Sequence, residues 1–70
     1  MRVQADIAGT VCRIEAAPGQ AVQEGDTVLI VESMKMEIPI SAPAAGTVRA
    51  VHVAEGDVVQ EDTVVFEIAR

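Results

Sequence analysis

A single lysine lies at the middle of the chain, inside the stretch ESMKME that runs from Glu32 to Glu37. Lys35 is the only lysine, and the other four of the five basic side chains are arginines. A primary amine is almost wholly protonated at neutral pH, so Lys35 is a poor nucleophile by itself. These residue types predict that a separate enzyme, which supplies the base and an activated acyl group, acylates Lys35. An amide there would remove the charge and leave a long, flexible tether.

No other set of residues in the chain has the composition of a catalytic or metal site. Cys12 and His52 each occur once, and a zinc site usually needs four ligands. No further group could orient a Cys–His pair or stabilise an oxyanion, which argues against catalysis by the two. We expect both residues to lie at the surface, because their equivalents in the internal repeat, Arg49 and Glu15, are charged. The glycines follow turn-like spacing and lack the strand–loop–helix setting of a phosphate-binding loop. The sequence predicts a protein that catalyses no reaction itself.

Charge and hydropathy exclude several classes of partner. Eleven acidic residues against five basic ones give a net charge of −6, which argues against nucleic acid as a ligand. No apolar run is long enough to cross a bilayer, and no signal peptide precedes the first strand, so no membrane partner is predicted. One unpaired cysteine and the lack of an export signal favour the cytoplasm. The initiating methionine suggests a free-standing protein, although a domain excised from a longer chain would look the same.

The two halves of the chain repeat each other. Residues Ala8–Glu24 and Ala45–Glu61 are identical at nine of seventeen positions, with a constant offset of thirty-seven. Beyond them, Asp26–Ile30 matches Asp62–Phe66, which predicts the loss of one residue from the second copy. A duplication of this kind predicts one domain, residues 1–70, with an approximate two-fold axis.

Each copy reads as short strands separated by turns. The predicted strands cover residues 1–7, 9–16, 27–32, 36–40 and 63–68, with turns at the glycines, seven or eight strands in all. The spacing of apolar residues after Val11 and after Val48 breaks strict alternation, which predicts a bulge or a tight coil of the strand in each copy. Pro39 predicts an edge strand or a bulge. The fold class is therefore all-β, a small sandwich or flattened barrel with a thin core of valine, isoleucine and alanine.

The join between the halves breaks local rules of turn formation. A tight hairpin would have Met34 and Lys35 at its tip, although two-residue hairpins favour Asn-Gly or glycine because their turns need positive φ. Two methionines at an exposed tip are also unfavourable for solubility. Rules broken together at one place indicate a functional site. The methionines would give a partner protein an adaptable apolar surface.

The stretch VESMKMEI resembles the attachment hairpin of biotinyl domains, the biotin carboxyl carrier proteins. The similarity extends over nearly the whole chain, including the Ala-Gly-Thr-Val motif in each copy. The resemblance implies a flattened barrel of two four-stranded antiparallel sheets without the thumb of some carriers. It also implies covalent biotin on Lys35, recognition through Met34 and Met36, and a hairpin context formed by Glu32, Ser33 and Glu37.

The resemblance further implies a carrier subunit of a biotin-dependent carboxylase. A biotin protein ligase would attach biotin to Lys35, and the arm would carry a carboxyl group from a biotin carboxylase to a carboxyltransferase. The acceptor would be an acyl-CoA, as in the acetyl-CoA carboxylases of fatty acid metabolism, or another molecule. Ser33 departs from the alanine common in biotin carriers and is common in lipoyl domains. One alternative is therefore a lipoyl carrier of a 2-oxo acid dehydrogenase-like system. A second alternative is an unmodified adaptor module.

Overall fold

Eight strands and no helix make up the protein. The computed structural model describes all residues from 1 to 70. The strands are β1 (Arg2–Gln4), β2 (Gly9–Ile14), β3 (Ala21–Val22), β4 (Thr27–Ser33), β5 (Met36–Ser41), β6 (Gly46–Val51), β7 (Val58–Val59) and β8 (Val64–Ala69). The all-β prediction is confirmed. No helix of this structure could span a membrane.

The strands form two four-stranded antiparallel sheets. The order β5-β4-β2-β7 makes one sheet, called here the hairpin sheet, and the order β1-β8-β6-β3 makes the other, called the termini sheet. Pro39 lies in β5, at the edge of the hairpin sheet, where its missing N–H leaves no ladder hydrogen bond unmade. The edge position predicted for this proline is confirmed.

The duplication holds at an offset of thirty-seven through the whole chain, so the predicted loss of one residue is wrong. Gly25 N–H donates to the Ala42 carbonyl, and the equivalent Asp62 N–H donates to the Ala5 carbonyl. Gly25 and Asp62 also share a positive φ, of 90° and 73°. The Asp-Thr-Val triplet that occurs in both copies is therefore one residue out of structural register.

A bulge occurs at the same place in each copy, as predicted. The register of β2 against β4 shifts between Val11 and Arg13, and that of β6 against β8 shifts between Val48 and Ala50. The extra residue is Cys12 in one strand and Arg49 in the other. Both side chains are exposed, while Val11 and Val48 remain in the core. Each bulge thus corrects the alternation of the strand.

Fifteen buried side chains, all apolar, form one core between the sheets. Eight valines, three alanines and two isoleucines dominate it, as expected from the composition. Leu29 and Phe66 are fully buried and occupy equivalent positions of the two copies. No buried polar side chain needs a partner, so apolar packing stabilises the core, while 40 backbone hydrogen bonds join the strands and turns.

Seven of the ten predicted strand boundaries differ from the structure, five of them by a single residue. The first strand ends at Gln4 and not at Ile7, and the second ends at Ile14 and not at Ala16. The N–H groups of Ala5 and Ala16 leave the ladders to donate to the carbonyls of Thr63 and Val28. Strand β4 extends one residue beyond its predicted end, to Ser33, because Ser33 pairs with Met36 below the tip.

Candidate functional site

The β4–β5 hairpin carries Lys35 at its two-residue tip. Ser33 pairs with Met36, so only Met34 and Lys35 lie between the strands. Their φ angles are 51° and 65°, the left-handed region that a type I′ turn requires at both central residues. Side chains with a Cβ adopt this region at a cost of about 1–2 kcal/mol per residue. The hairpin predicted from sequence is confirmed, with residues that turn formation alone would not select.

The Lys35 amine is exposed and has no partner within the domain. Lys35 is exposed, and its side chain makes no ion pair and no hydrogen bond, since the ion pairs of the structure are Arg13–Glu15 and His52–Glu67. The flanking methionines project with it: 92% of Met34 and 64% of Met36 is accessible to solvent. The tip therefore presents one primary amine to a partner protein, with an exposed apolar methionine side chain on each side of it.

The two glutamates of the stretch lie side by side directly below the tip. Glu32 and Glu37 are opposite each other in the β4–β5 ladder, and both are exposed. Like charges opposite each other destabilise a strand pair, and no basic side chain pairs with either one. Ser33, half-buried, closes the hairpin between them and Lys35. The structure therefore brings together all six residues of the stretch, with a negative pair beneath one positive tip.

Gly9 supports the hairpin from the neighbouring strand, a role that we did not assign from sequence. A Cβ on Gly9 would lie 2.4 Å from the Glu32 carbonyl oxygen and 2.6 Å from Val31 Cγ1. In the other copy a Cβ on Gly46 would lie 2.6 Å from the Ala69 carbonyl oxygen. The Ala-Gly-Thr-Val motif, which occurs in both copies, was the sequence feature from which this role of Gly9 could have been inferred. Only glycine allows β2 to approach β4 so closely at the base of the tip.

Replacing Gly9 by alanine is expected to lower the free energy of unfolding by about 1–3 kcal/mol, because the added methyl group overpacks a rigid ladder. The Gly46→Ala variant is the matched control, since it creates the same clash in the termini sheet. Chemical denaturation should show similar losses for both. At a temperature where both remain folded, Gly9→Ala alone should slow the acylation of Lys35. Equal acylation rates would mean that Gly9 does not position the hairpin.

Cys12 and His52 lie at the surface of different sheets. Cys12 is the bulged residue of β2 and is exposed, while His52 follows β6 and contacts Glu67 of β8 at 2.5 Å between Nε2 and Oε2. The surface location predicted for both is confirmed. The contact between His52 and Glu67 was not predicted, because the strand register that joins them was not known.

Comparison with known families and proteins identifies the family of the chain. The family model described as "Biotin-requiring enzyme" matches residues 1–68. The chain is 52% identical over 40 residues to the biotinylated protein TB7.3 homolog of Mycolicibacterium smegmatis, covering 57% of this chain and 56% of that protein. It is 48% identical over 40 residues to the biotin-dependent acyl-coenzyme A carboxylase alpha3 subunit of Mycobacterium leprae, covering 57% of this chain and 7% of that subunit.

Solved structures with the same fold include parts of much larger enzymes. The urea carboxylase of Kluyveromyces lactis superposes with a TM-score of 0.94 at 30% identity, over 99% of this chain and 6% of that one. The lipoyl domain of the 2-oxoglutarate dehydrogenase complex from Azotobacter vinelandii superposes with a TM-score of 0.78 at 21% identity, over 97% and 96% of the two chains. The second likeness shows the fold alone.

Proposed function

The chain belongs to the biotin/lipoyl attachment family, and from that premise we propose that it is a biotin carrier whose attachment residue is Lys35. The observation that carries the proposal is the tip itself. A lone lysine occupies a strained, exposed turn with no partner for its amine. Residues that cost stability and gain no contact within the domain are explained by a reaction at that position.

The residues of the tip fit a covalent amide with biotin. Formation of that bond needs an unhindered primary amine, and the Lys35 side chain is exposed at the end of a rigid hairpin. Met34 and Met36 would contact the ligase that forms the bond, because both project from the tip. When bound, biotin supplies a ureido ring that can hold a carboxyl group. The chain then holds the arm at a high effective concentration before each active site.

The sequence of the tip favours biotin over lipoate. The Met-Lys-Met triplet resembles biotin carriers, whereas lipoyl domains usually have aspartate before the lysine and alanine or valine after it. Among the curated proteins compared, several are named as biotinylated. Ser33 is the one residue of the hairpin that fits a lipoyl domain as well.

We further propose a carboxylase of the acyl-CoA type as the assembly in which the carrier works. The alpha3 subunit of Mycobacterium leprae and a solved long-chain acyl-CoA carboxylase both contain a similar domain. The partners would be a biotin protein ligase, a biotin carboxylase and a carboxyltransferase, which perform the catalysis. The reducing cytoplasm is the proposed compartment.

Intact-mass spectrometry of protein purified from its native host, with fragmentation to locate the adduct, tests the cofactor. A biotin-sized adduct on Lys35 is expected. A lipoyl-sized adduct, or biotin on another residue, would overturn the proposal. An unmodified chain would be incubated with biotin ligase, ATP and biotin, and failure to take up biotin would then favour the adaptor alternative.

Truncation of either methionine should affect attachment far more than folding. Met34→Ala and Met36→Ala remove side chains that are largely exposed, so the free energy of unfolding should change by no more than about 0.5 kcal/mol. Loss of about 1 kcal/mol of contact with the ligase would lower kcat/KM for biotin attachment by about fivefold. Thermal unfolding and initial labelling rates measure the two effects. A large loss of stability would instead make them packing residues.

A further inference from the structure

A cluster of basic residues occupies the outer face of the termini sheet, opposite in character to the rest of this acidic protein. Arg2 of β1 pairs in register with Glu67 of β8, and Glu67 pairs on its other side with Ala50 of β6, next to the bulged Arg49. His52 contacts the Glu67 carboxylate. Arg2, Arg49, His52 and Glu67 are together called here the arginine face.

The two guanidinium groups of the arginine face are unpaired. Neither Arg2 nor Arg49 has an acidic oxygen within ion-pair distance, and the Glu67 carboxylate contacts His52. The hydrogen bond from His52 lowers the pKa of Glu67, and the charges of Arg2 and Arg49 act in the same direction. Glu67 therefore orients His52 and leaves both arginines available for an external anion.

A shallow depression of about 270 Å³ lies on the same face, lined by Arg2, His52, Val64 and Glu67. Val64 is its one apolar lining residue, and Arg2 lines it together with the Glu67 carboxylate that His52 contacts. The depression is therefore suited to a short polar side chain that ends in an anion. A guanidinium group binds a carboxylate through two parallel hydrogen bonds, which gives geometric as well as electrostatic selectivity.

The duplication supplies an internal control for what the fold requires. At an offset of thirty-seven, the equivalents of Arg2, Arg49, His52 and Glu67 are Pro39, Cys12, Glu15 and Ile30. The hairpin sheet pairs these residues in the same register, with Ile30 opposite Pro39 and a bulge at Cys12, but no depression lies on its outer face. The basic cluster is thus not needed to build a sheet of this shape.

We propose that the arginine face binds an acidic segment of a partner protein, with Arg2 and Arg49 holding its carboxylates. The net charge of −6 disfavours a long polyanion such as nucleic acid, whose repulsion would extend beyond the patch. An acidic side chain or two within a protein segment matches the size and charge of the face. Because Lys35 belongs to the other sheet, a segment bound here leaves the attachment hairpin free to reach an active site.

Titration of the isotope-labelled protein with acetylated hexaglutamate, followed by amide chemical shifts at low salt, tests this proposal. Shifts should concentrate on Arg2, Arg49, His52 and Glu67 and should saturate. The double variant Arg2→Gln/Arg49→Gln should bind the peptide about tenfold more weakly. The matched control Arg13→Gln/Arg70→Gln also removes two positive charges, from −6 to −8, and should change the affinity by less than about twofold.

Three outcomes would overturn the docking proposal. They are scattered shifts without saturation, equal weakening in both double variants, and equal or tighter binding of hexathymidylate at the same face. Biotin attachment to Lys35 of the Arg2→Gln/Arg49→Gln variant is measured in parallel. Its rate should equal that of the original sequence. The carrier proposal is tested by biotin uptake of the original sequence and the docking proposal by peptide binding, so either hypothesis can fail while the other holds.

Discussion

Replacing Lys35 by arginine should abolish biotin attachment completely and leave the fold unchanged. The guanidinium group stays protonated at every accessible pH and cannot act as the nucleophile that forms the amide. It keeps the positive charge above Glu32 and Glu37, and it makes the same demand on backbone φ as lysine. Incubation with biotin ligase, ATP and biotin, followed by intact-mass measurement, should detect no adduct. Thermal unfolding of the two proteins should coincide.

The Lys35→Gly variant is the informative control for the same site. Glycine adopts positive φ without the steric cost paid by lysine at 65°, while it loses more entropy on folding, so we expect a net gain of about 0.5–1 kcal/mol in the free energy of unfolding. The variant should be more stable and inert to ligase. Biotin uptake by either variant would place the attachment site elsewhere. A loss of stability in Lys35→Gly would mean that the lysine side chain has a structural role.

The tip was predictable because the sequence contradicts local preference there. Met34 and Lys35 occupy positions where asparagine and glycine are favoured, and the flanking β-branched runs left a turn as the simplest join. The bulges were predictable for a similar reason, since Val11 and Val48 each interrupt a regular alternation. In both cases a local pattern left only a few structural solutions.

The register of the duplication was not predictable, because residue identity and backbone conformation disagree. The repeated Asp-Thr-Val triplet suggests one alignment, whereas the turns require another in which Asp62 takes the conformation of Gly25. Aspartate tolerates positive φ better than most residues, so the glycine signal was lost in the second copy. The side chains of Asp26 and Thr63 perform the same task in the correct register, accepting hydrogen bonds from the N–H groups of Gln23 and Gln60.

Contacts between distant strands also lay beyond sequence reasoning. The pairing of Arg2 with Glu67 joins the two ends of the chain, and the close approach of Gly9 to Glu32 depends on the distance between β2 and β4. Composition identified Lys35 because it is unique. It could not identify Arg2 and Arg49, which differ from the other arginines only in where the sheets place them.

Replacing Phe66 by alanine should cost about 3–5 kcal/mol, which is most or all of the stability expected for a domain of this size. Phe66 is the only aromatic residue and is fully buried. No disulfide and no buried polar network could compensate for the cavity. Circular dichroism and denaturant titration should show a partly or wholly unfolded chain at 37 °C. Val58→Ala, at a side chain that is 71% exposed, should change the free energy by no more than about 0.5 kcal/mol.

The equivalent substitution in the other copy decides whether the two sheets unfold together. Leu29 occupies the position of Phe66 in the hairpin sheet, and both belong to one continuous core, so Leu29→Ala should also destabilise the whole domain, by about 2–5 kcal/mol. In each variant, biotin attachment should fall in proportion to the folded fraction, because a rigid hairpin needs both sheets behind it. A Phe66→Ala protein that lost the termini sheet yet accepted biotin at the normal rate would show that the hairpin sheet alone holds Lys35 in position.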